Sequence, residues 1–181
     1  MIPTMTADES EAWRPEIKGW SRDILPMYRE WAKEIPDGGL VVEIGVFNGR
    51  SLLFLAQELL RLGKNHCALW GIDPTRYPEF WVHYTRTLGA RCKIHMIQGW
   101  SAEESFKFPD RSADLVFIDG GHSEQSVRED ILAYSRIVKH DGILAGHDYD
   151  RGDEHPGVKR AVDALLGDVE HFDFVWWRRM P

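Results

Sequence analysis

The sequence predicts an α/β fold, a doubly wound and mostly parallel sheet with helices on both faces. Three observations predict it. Short apolar runs alternate with helix-patterned stretches from about residue 39 onward. The runs are apolar almost throughout, as strands covered on both faces are. Run after run also ends in residues that can bind or react: Glu43, Asp73, Gly99, Asp119, His147 and Asp148. In open parallel sheets ligands bind beyond the carboxyl ends of the strands.

Residues 1–20 are weakly patterned, with Trp13 and Trp20 as anchors. From 21 to 35 Ile24, Tyr28, Trp31 and Ile35 recur at three- and four-residue steps, an amphipathic helix that PDGG ends. LVVEIGV reads as the first strand, and SLLFLAQELLRLG as a helix closed by Gly63. CALWGID is a second strand, followed by a turn and a helix in PTRYPEFWVHYTRTLGA. KIHMIQG is the third strand and SAEESF starts a short helix. ADLVFID is the fourth strand. Val127, Ile131, Tyr134 and Val138 then mark a helix ending before Asp141-Gly142. GILAGHD is the fifth strand, and HPGVKRAVDALLG is a helix with Pro156 near its start and Gly167 after its end. FDFVWWRRM closes the chain as an edge strand.

The 181 residues suffice for one domain with a full core and are too few for two ordinary ones. A hydrophobic share of 43% with 28% charged residues is a globular balance, so disorder is not expected. The net charge of -7 argues against a broad phosphate-binding surface, so no nucleic-acid partner is expected. The 2 cysteines, Cys67 and Cys92, have no metal-type spacing and read as reduced, buried thiols of a cytoplasmic protein. MIPTMTADESEAW is acidic and lacks the apolar core of a signal peptide. No apolar run is long enough to span a bilayer, so no membrane association is expected.

VVEIGVFNGRS, at the first strand–helix junction, carries a charge and two glycines inside an apolar run. Its pattern is Gly45-x-x-x-Gly49, not the three-glycine turn that cradles a pyrophosphate, and no G-K-[ST] follows. A dinucleotide and a P-loop are therefore disfavoured. Gly45 would let a ligand approach the backbone, and Gly49 would let the helix start tight against the strand. Glu43 can accept from an ammonium or a water, and Asp73 is placed to bind a ribose diol. A ligand with an amino-acid part and a nucleoside part, but no phosphate, fits. The plainer reading is a tight strand–helix turn with a satisfied glutamate.

The string Glu43-x-Gly45-x-x-x-Gly49-x-Ser51 resembles the first motif of class I S-adenosylmethionine-dependent methyltransferases. FIDGGHSEQSVREDI, GILAGHDY and HPGVKRAVDAL extend the resemblance over residues 38 to 166. They are similar to the small O-methyltransferases of the macrocin and cephalosporin-tailoring group and, more distantly, to catechol O-methyltransferase. The resemblance implies a Rossmann-like fold. It implies an N-terminal helical segment, 1–38, covering the substrate side, and an S-adenosylmethionine-binding methyltransferase domain, 39–181, within one domain overall. It places Glu43, Gly45, Phe47 and Ser51 at the methionine moiety and Asp73 at the ribose. Gly99, Trp100 and Ser101 fall at the adenine, and Asp119 beside the methionine end. The full fold of the group ends in an antiparallel strand pair, and only one good strand fits after the last helix here. The C-terminal edge is thus expected to be trimmed, and an exposed FDFVWW edge predicts a homodimer.

Methyl transfer to a hydroxyl requires alignment of the acceptor and removal of its proton. His122 lies three residues after Asp119, where the catechol enzyme has its lysine base, and a neutral histidine is competent there. It could instead cap the following helix or face solvent. Metal-dependent relatives tend to carry Asp-Asp or Asp-Asn where this chain has His147-Asp148. With Asp119 these would hold a divalent ion such as Mg²⁺ or Mn²⁺, and the imidazole shifts the preference away from Mg²⁺. Three alternatives stand: a changed metal on Asp119, His147 and Asp148, His147 as a metal-free base, or no metal. His155 reads as a helix start with an option on the pocket. His66, His83, His95, His140 and His171 read as surface or structural.

Tyr77, Phe80 and Trp81 could wall the pocket, whereas Trp176 and Trp177 read as core. The expected reaction is methylation of a small-molecule hydroxyl, with His122 or a metal assisting deprotonation. The competing readings are a dehydrogenase and a non-catalytic or differently specific Rossmann-like nucleotide-binding protein.

Overall fold

The computed structural model describes residues 3–20 and 22–181. Seven strands form one sheet: β1 (Leu40–Ile44), β2 (Ala68–Asp73), β3 (Lys93–Gln98), β4 (Ala113–Ile118), β5 (Val138–Gly146), β6 (Glu170–Phe172) and β7 (Val175–Arg179). Their order is β3-β2-β1-β4-β5-β7-β6. The first five run parallel, and β7 is antiparallel to both β5 and β6. The helices are α1 (Ala7–Ala12), α2 (Ile24–Glu34), α3 (Arg50–Arg61), α4 (Pro78–Thr87), α5 (Ser101–Glu104), α6 (Glu124–Ser135) and α7 (Pro156–Leu166).

Continuous apolar strands serve two cores because successive side chains point to opposite faces. Val41, Leu115, Phe117, Ile143 and Trp177 join Tyr28 and Trp31 of α2 and Leu52, Leu55 and Leu59 of α3. Val42, Val116, Ile118, Leu144 and Trp176 join Val127, Ile131 and Tyr134 of α6 and Val158 and Val162 of α7. The strand order reverses between β1 and β4, which opens a crevice at their carboxyl ends. Among the described residues no helix is long and apolar enough to cross a membrane.

The C-terminal edge is a correction. FDFVWWRRM is not the sheet edge: β7 lies between β5 and β6, and the antiparallel pair is present with a three-residue outer strand. Trp176 is fully buried and Trp177 nearly so, which makes them core as expected. It also removes the exposed aromatic edge on which the homodimer expectation stood.

Two further elements differ from the sequence reading. Val138 belongs to β5, not to the preceding helix, because α6 stops at Ser135. The β4–β5 ladder is irregular there: Ala113 pairs with Val138 but Leu115 with Ile143, and Asp141 takes a positive φ of 61°. The extra residues let Val138 stay buried, which is why it mimics the helical stripe. Helix α1 was not expected. Its signal is the Thr6/Glu9 capping box, in which each side chain takes the other's backbone N–H.

Candidate active site

A cavity of about 820 Å³ lies beyond the carboxyl ends of β1, β2 and β4. Gly45, Phe47, Ser51, Asp73, Trp100, Ser101 and Asp119 all line it. From the N-terminal segment Lys18, Gly19 and Trp20 line the cavity, while α2 is part of the core beneath.

The β1–α3 turn is shaped by two close approaches. A Cβ on Gly45 would stand 1.9 Å from the carbonyl oxygen of Asp119, and Gly45 has a φ of 80°. Only glycine brings the ends of β1 and β4 that close. A Cβ on Gly49 would meet the Phe80 ring at 2.3 Å. Between them Phe47 adopts a φ of 49°, unusual for a bulky residue. Asp73 supports it: its Oδ2 accepts from the amides of Val46 at 3.0 Å and Phe47 at 3.1 Å. Oδ1 accepts from Thr75 N at 2.8 Å. That oxygen keeps a lone pair beside the cavity, suited to a hydroxyl donor.

Glu43 is placed differently from expectation. It is fully buried and does not line the cavity. Its carboxyl accepts from Tyr28 Oη at 2.6 Å and Ser51 Oγ at 2.8 Å. Burial pushes its pKa up to about 8. Glu43 thus fixes Ser51 from behind. Gly99 is likewise off the cavity wall. A Cβ there would strike the Glu104 side chain at 2.5 Å, so it makes room for α5. Trp100 stands 68% exposed at the cavity rim.

A second group of side chains gathers where β4 and β5 end. His147 is 4% exposed, with both ring nitrogens facing carboxylates. Nε2 lies 3.2 Å from each oxygen of Asp23. Nδ1 faces Asp148 Oδ1 at 3.2 Å and Asp119 Oδ1 at 3.6 Å. Burial opposes its charge, yet bonds to Asp119, Asp148 and Asp23 raise its pKa to about 11. Against its own burial, His122 and His147 hold Asp148 far below the usual carboxylate range. Burial instead raises Asp119. Without an ion, the carboxylates of Asp119, Asp148 and Asp23 favour the protonated ring, which weighs against His147 as a metal-free base; an ion on Nδ1 would take the place of that proton.

As a metal-ligand set the group fits. One donor atom from each of Asp119, His147 and Asp148 lies within 4.8 Å of the others. Asp23 on Nε2 leaves Nδ1 for the ion, the arrangement by which an outer carboxylate orients a metal-bound histidine. Asp148 enters this group through a φ of 61° and also accepts from Arg151 at 2.8 Å.

His122 sits on the outer side, with Nε2 2.9 Å from Asp148 Oδ2 and a side chain 44% exposed. Asp148 holds its pKa above the ordinary histidine value. It lines a small recess with Asp119, Gly120, Gly121 and His147 rather than the main cavity. His155 stacks on it, ring centroids 4.0 Å apart. His155 therefore joins the site at its helix start, and His122, Asp148 and His155 form a second cluster with metal-ligand spacing.

A family model described as a methyltransferase domain matches residues 42–149. The chain belongs to that family. It is 28% identical over 145 residues to an uncharacterized protein of Acanthamoeba polyphaga mimivirus, covering 71% of this chain. It spans about 60% of the length of that curated relative. Among solved structures it is similar to CalS11, a TDP-rhamnose 3'-O-methyltransferase of calicheamicin biosynthesis. The two share 16% identity over 86% of this chain and 76% of that one, with a TM-score of 0.64. An rRNA methylase from Streptococcus thermophilus matches at a TM-score of 0.66 and 12% identity, covering 86% and 95%. MycE of mycinamycin biosynthesis, solved with Mg, S-adenosylhomocysteine and mycinamycin VI, matches at 0.57 and 16%, covering 84% and 47%.

In this methyltransferase domain the cavity opens where the strand order reverses, beyond the carboxyl ends of β1 and β4. Two residues that shape this region escape sequence reasoning, Asp23 behind His147 and Arg50 on the cavity wall. Asp23 accepts from Trp20 Nε1 at 2.7 Å and from Phe174 N at 3.1 Å while facing His147. Arg50, at the start of α3, donates to the carbonyls of Ser10, Glu11, Arg14 and Ile17. It ties residues 10–17 to the start of α3, next to the lining residues Lys18, Gly19 and Trp20.

Proposed function

We propose that this methyltransferase domain transfers a methyl group from S-adenosylmethionine to a hydroxyl of a small molecule. The observation that carries the reading is the cavity beyond β1, β2 and β4. There a ribose acceptor (Asp73), a glycine turn (Gly45) and an acid (Asp119) converge beside His122 and Asp148. The likeness to CalS11, named for O-methylation of a sugar nucleotide, supports a hydroxyl acceptor. The net charge of -7 supports a small molecule over RNA, despite the likeness to an rRNA methylase.

When bound, S-adenosylmethionine supplies an electrophilic methyl whose bonding electrons stay with sulfur as the acceptor oxygen takes the carbon. Asp73 binds the ribose hydroxyls with its remaining lone pair. Ser51, held by Glu43, and the Gly45 backbone position the amino-acid end. Asp119 places a carboxylate near the cationic sulfur. His122 takes the acceptor's proton, and Asp148 stabilises the imidazolium that results. Asp119, His147 and Asp148 would hold a divalent ion, which would lower the acceptor's pKa and fix its oxygen. The likeness to MycE, solved with Mg, supports a divalent ion at this group.

The test is His122→Ala with an accepted substrate in hand. S-adenosylhomocysteine affinity stays within about twofold, while turnover falls by roughly 10²–10⁴. A loss below tenfold removes His122 from the proton transfer.

A further inference from the structure

Two histidine rings meet where the turn after β4 touches the start of α7. The rings of His122 and His155 stack with centroids 4.0 Å apart and planes 27° from parallel. A tight backbone approach brings them together. A Cβ on Gly157 would stand 2.5 Å from the amide nitrogen of Glu124 and 2.7 Å from the carbonyl oxygen of His122. Glycine at that position lets the first turn of α7 press on the turn that carries His122.

Neither ring serves the helix beside it. Ser123, not His122, caps α6, accepting from Ser126 N at 3.1 Å. His155 occupies the N-cap of α7 but makes no side-chain cap bond. Among the described residues its ring stacks on His122 and holds no hydrogen bond. The third member is Asp148, whose two oxygens have different partners. Oδ1 meets His147 Nδ1 at 3.2 Å and Arg151 at 2.8 Å, whereas Oδ2 meets His122 Nε2 at 2.9 Å. One donor atom from each of His122, Asp148 and His155 lies within 4.8 Å of the others. Asp148 is buried, but His122 is exposed and His155 half-buried, so an ion reaches the group from solvent and keeps water in a fourth position.

The donor set selects the ion. Two imidazoles and one carboxylate are the ligands of open, water-bearing zinc sites, and imidazole suits zinc better than magnesium. The group around His147 has one imidazole and two carboxylates instead.

We propose that His122, Asp148 and His155 bind a zinc ion, at a site that shares only Asp148 with the group around His147, and that this ion switches methyl transfer off. The second half rests on the proposed role of His122 as base. A metal-bound imidazole has one nitrogen on the ion and a proton on the other, so it takes no proton from an acceptor.

The experiment titrates the protein with Zn²⁺ in competition with a chromophoric zinc chelator, for wild type, His155→Ala and Asp119→Asn. The first equivalent of zinc binds wild type and Asp119→Asn alike. His155→Ala weakens it by at least about 100-fold, more than the 10–100-fold of losing an outer-shell partner. X-ray absorption of wild type with one equivalent of zinc needs no variant: two imidazoles on the ion support the proposal. One imidazole, no uptake, or zinc lost with Asp119→Asn and kept by His155→Ala overturns it. With an accepted substrate, turnover of wild type falls by roughly 10²–10⁴ as the site fills, the loss expected when the base is removed. In His155→Ala that inhibition needs correspondingly more zinc. Zinc held by two imidazoles with turnover unchanged overturns the switch and His122 as base together. Failure to bind zinc overturns the ion site alone, so the two failures are distinguishable.

Discussion

His147 Nε2 sits 3.2 Å from both carboxylate oxygens of Asp23, a residue 124 positions earlier in the chain. The contact joins the N-terminal segment to the end of β5. It also decides the chemistry of His147, because a nitrogen committed to Asp23 turns the other one toward Asp119 and Asp148. Asp23 precedes α2 yet makes no side-chain cap for it, since its oxygens are spent on His147, Trp20 and Phe174.

Asp23→Ala is accordingly expected to destabilise the protein by about 3–5 kcal/mol, the scale for removing one partner of a buried ion pair. It strands the amide of Phe174 and frees Trp20. Urea unfolding of the two proteins measures the difference, and a loss under about 1 kcal/mol would mean that solvent replaces the carboxylate.

Glu43 predicts a pH dependence. Its folded pKa of about 8 lies above the ordinary glutamate value of 4.5, with burial as the leading cause. Between those values the native state keeps a proton that the unfolded chain has released, so stability falls as pH rises from 4.5 to 8. Below 4.5 both states are protonated and the effect is absent. Glu43→Gln keeps the shape and removes the titration. Its urea midpoint should therefore decline less than wild type between pH 5 and pH 8. Parallel declines would show that Glu43 is ionised at neutral pH in the fold.

At Gly45 the expectation concerns backbone. Gly45→Ala puts a methyl on the carbonyl of Asp119 and forces a side chain into a left-handed conformation. The cost is at least about 2 kcal/mol, or a drop in Tm of roughly 4–8 °C for a chain of this size. A Tm within one degree of wild type would mean that β1 and β4 separate freely at their ends, contrary to the packing described.

The sheet and most of its helices were legible because their signals are local. Uniformly apolar strands ending in Asp73, Asp119 and His147 announce a parallel sheet and its functional edge. Glu43 was legible as an unusual residue but not as a buried one, since sequence does not reveal that Tyr28 and Ser51 would enclose it. Asp23 and Arg50 carried no local mark at all. Their partners lie far away in sequence or are main-chain carbonyls, which any residue supplies. The interior position of β7 was missed because an aromatic strand next to a chain end looks the same whether one edge is paired or two.

The cavity beyond β1, β2 and β4 as an S-adenosylmethionine site is tested most directly by calorimetric titration with S-adenosylhomocysteine, wild type against Asp73→Ala. Wild type should bind in the micromolar range. Asp73→Ala should bind ~1.5–3 kcal/mol more weakly, the worth of a charged hydrogen bond to the ribose. Absence of binding by wild type, or equal affinity in the variant, would contradict the account.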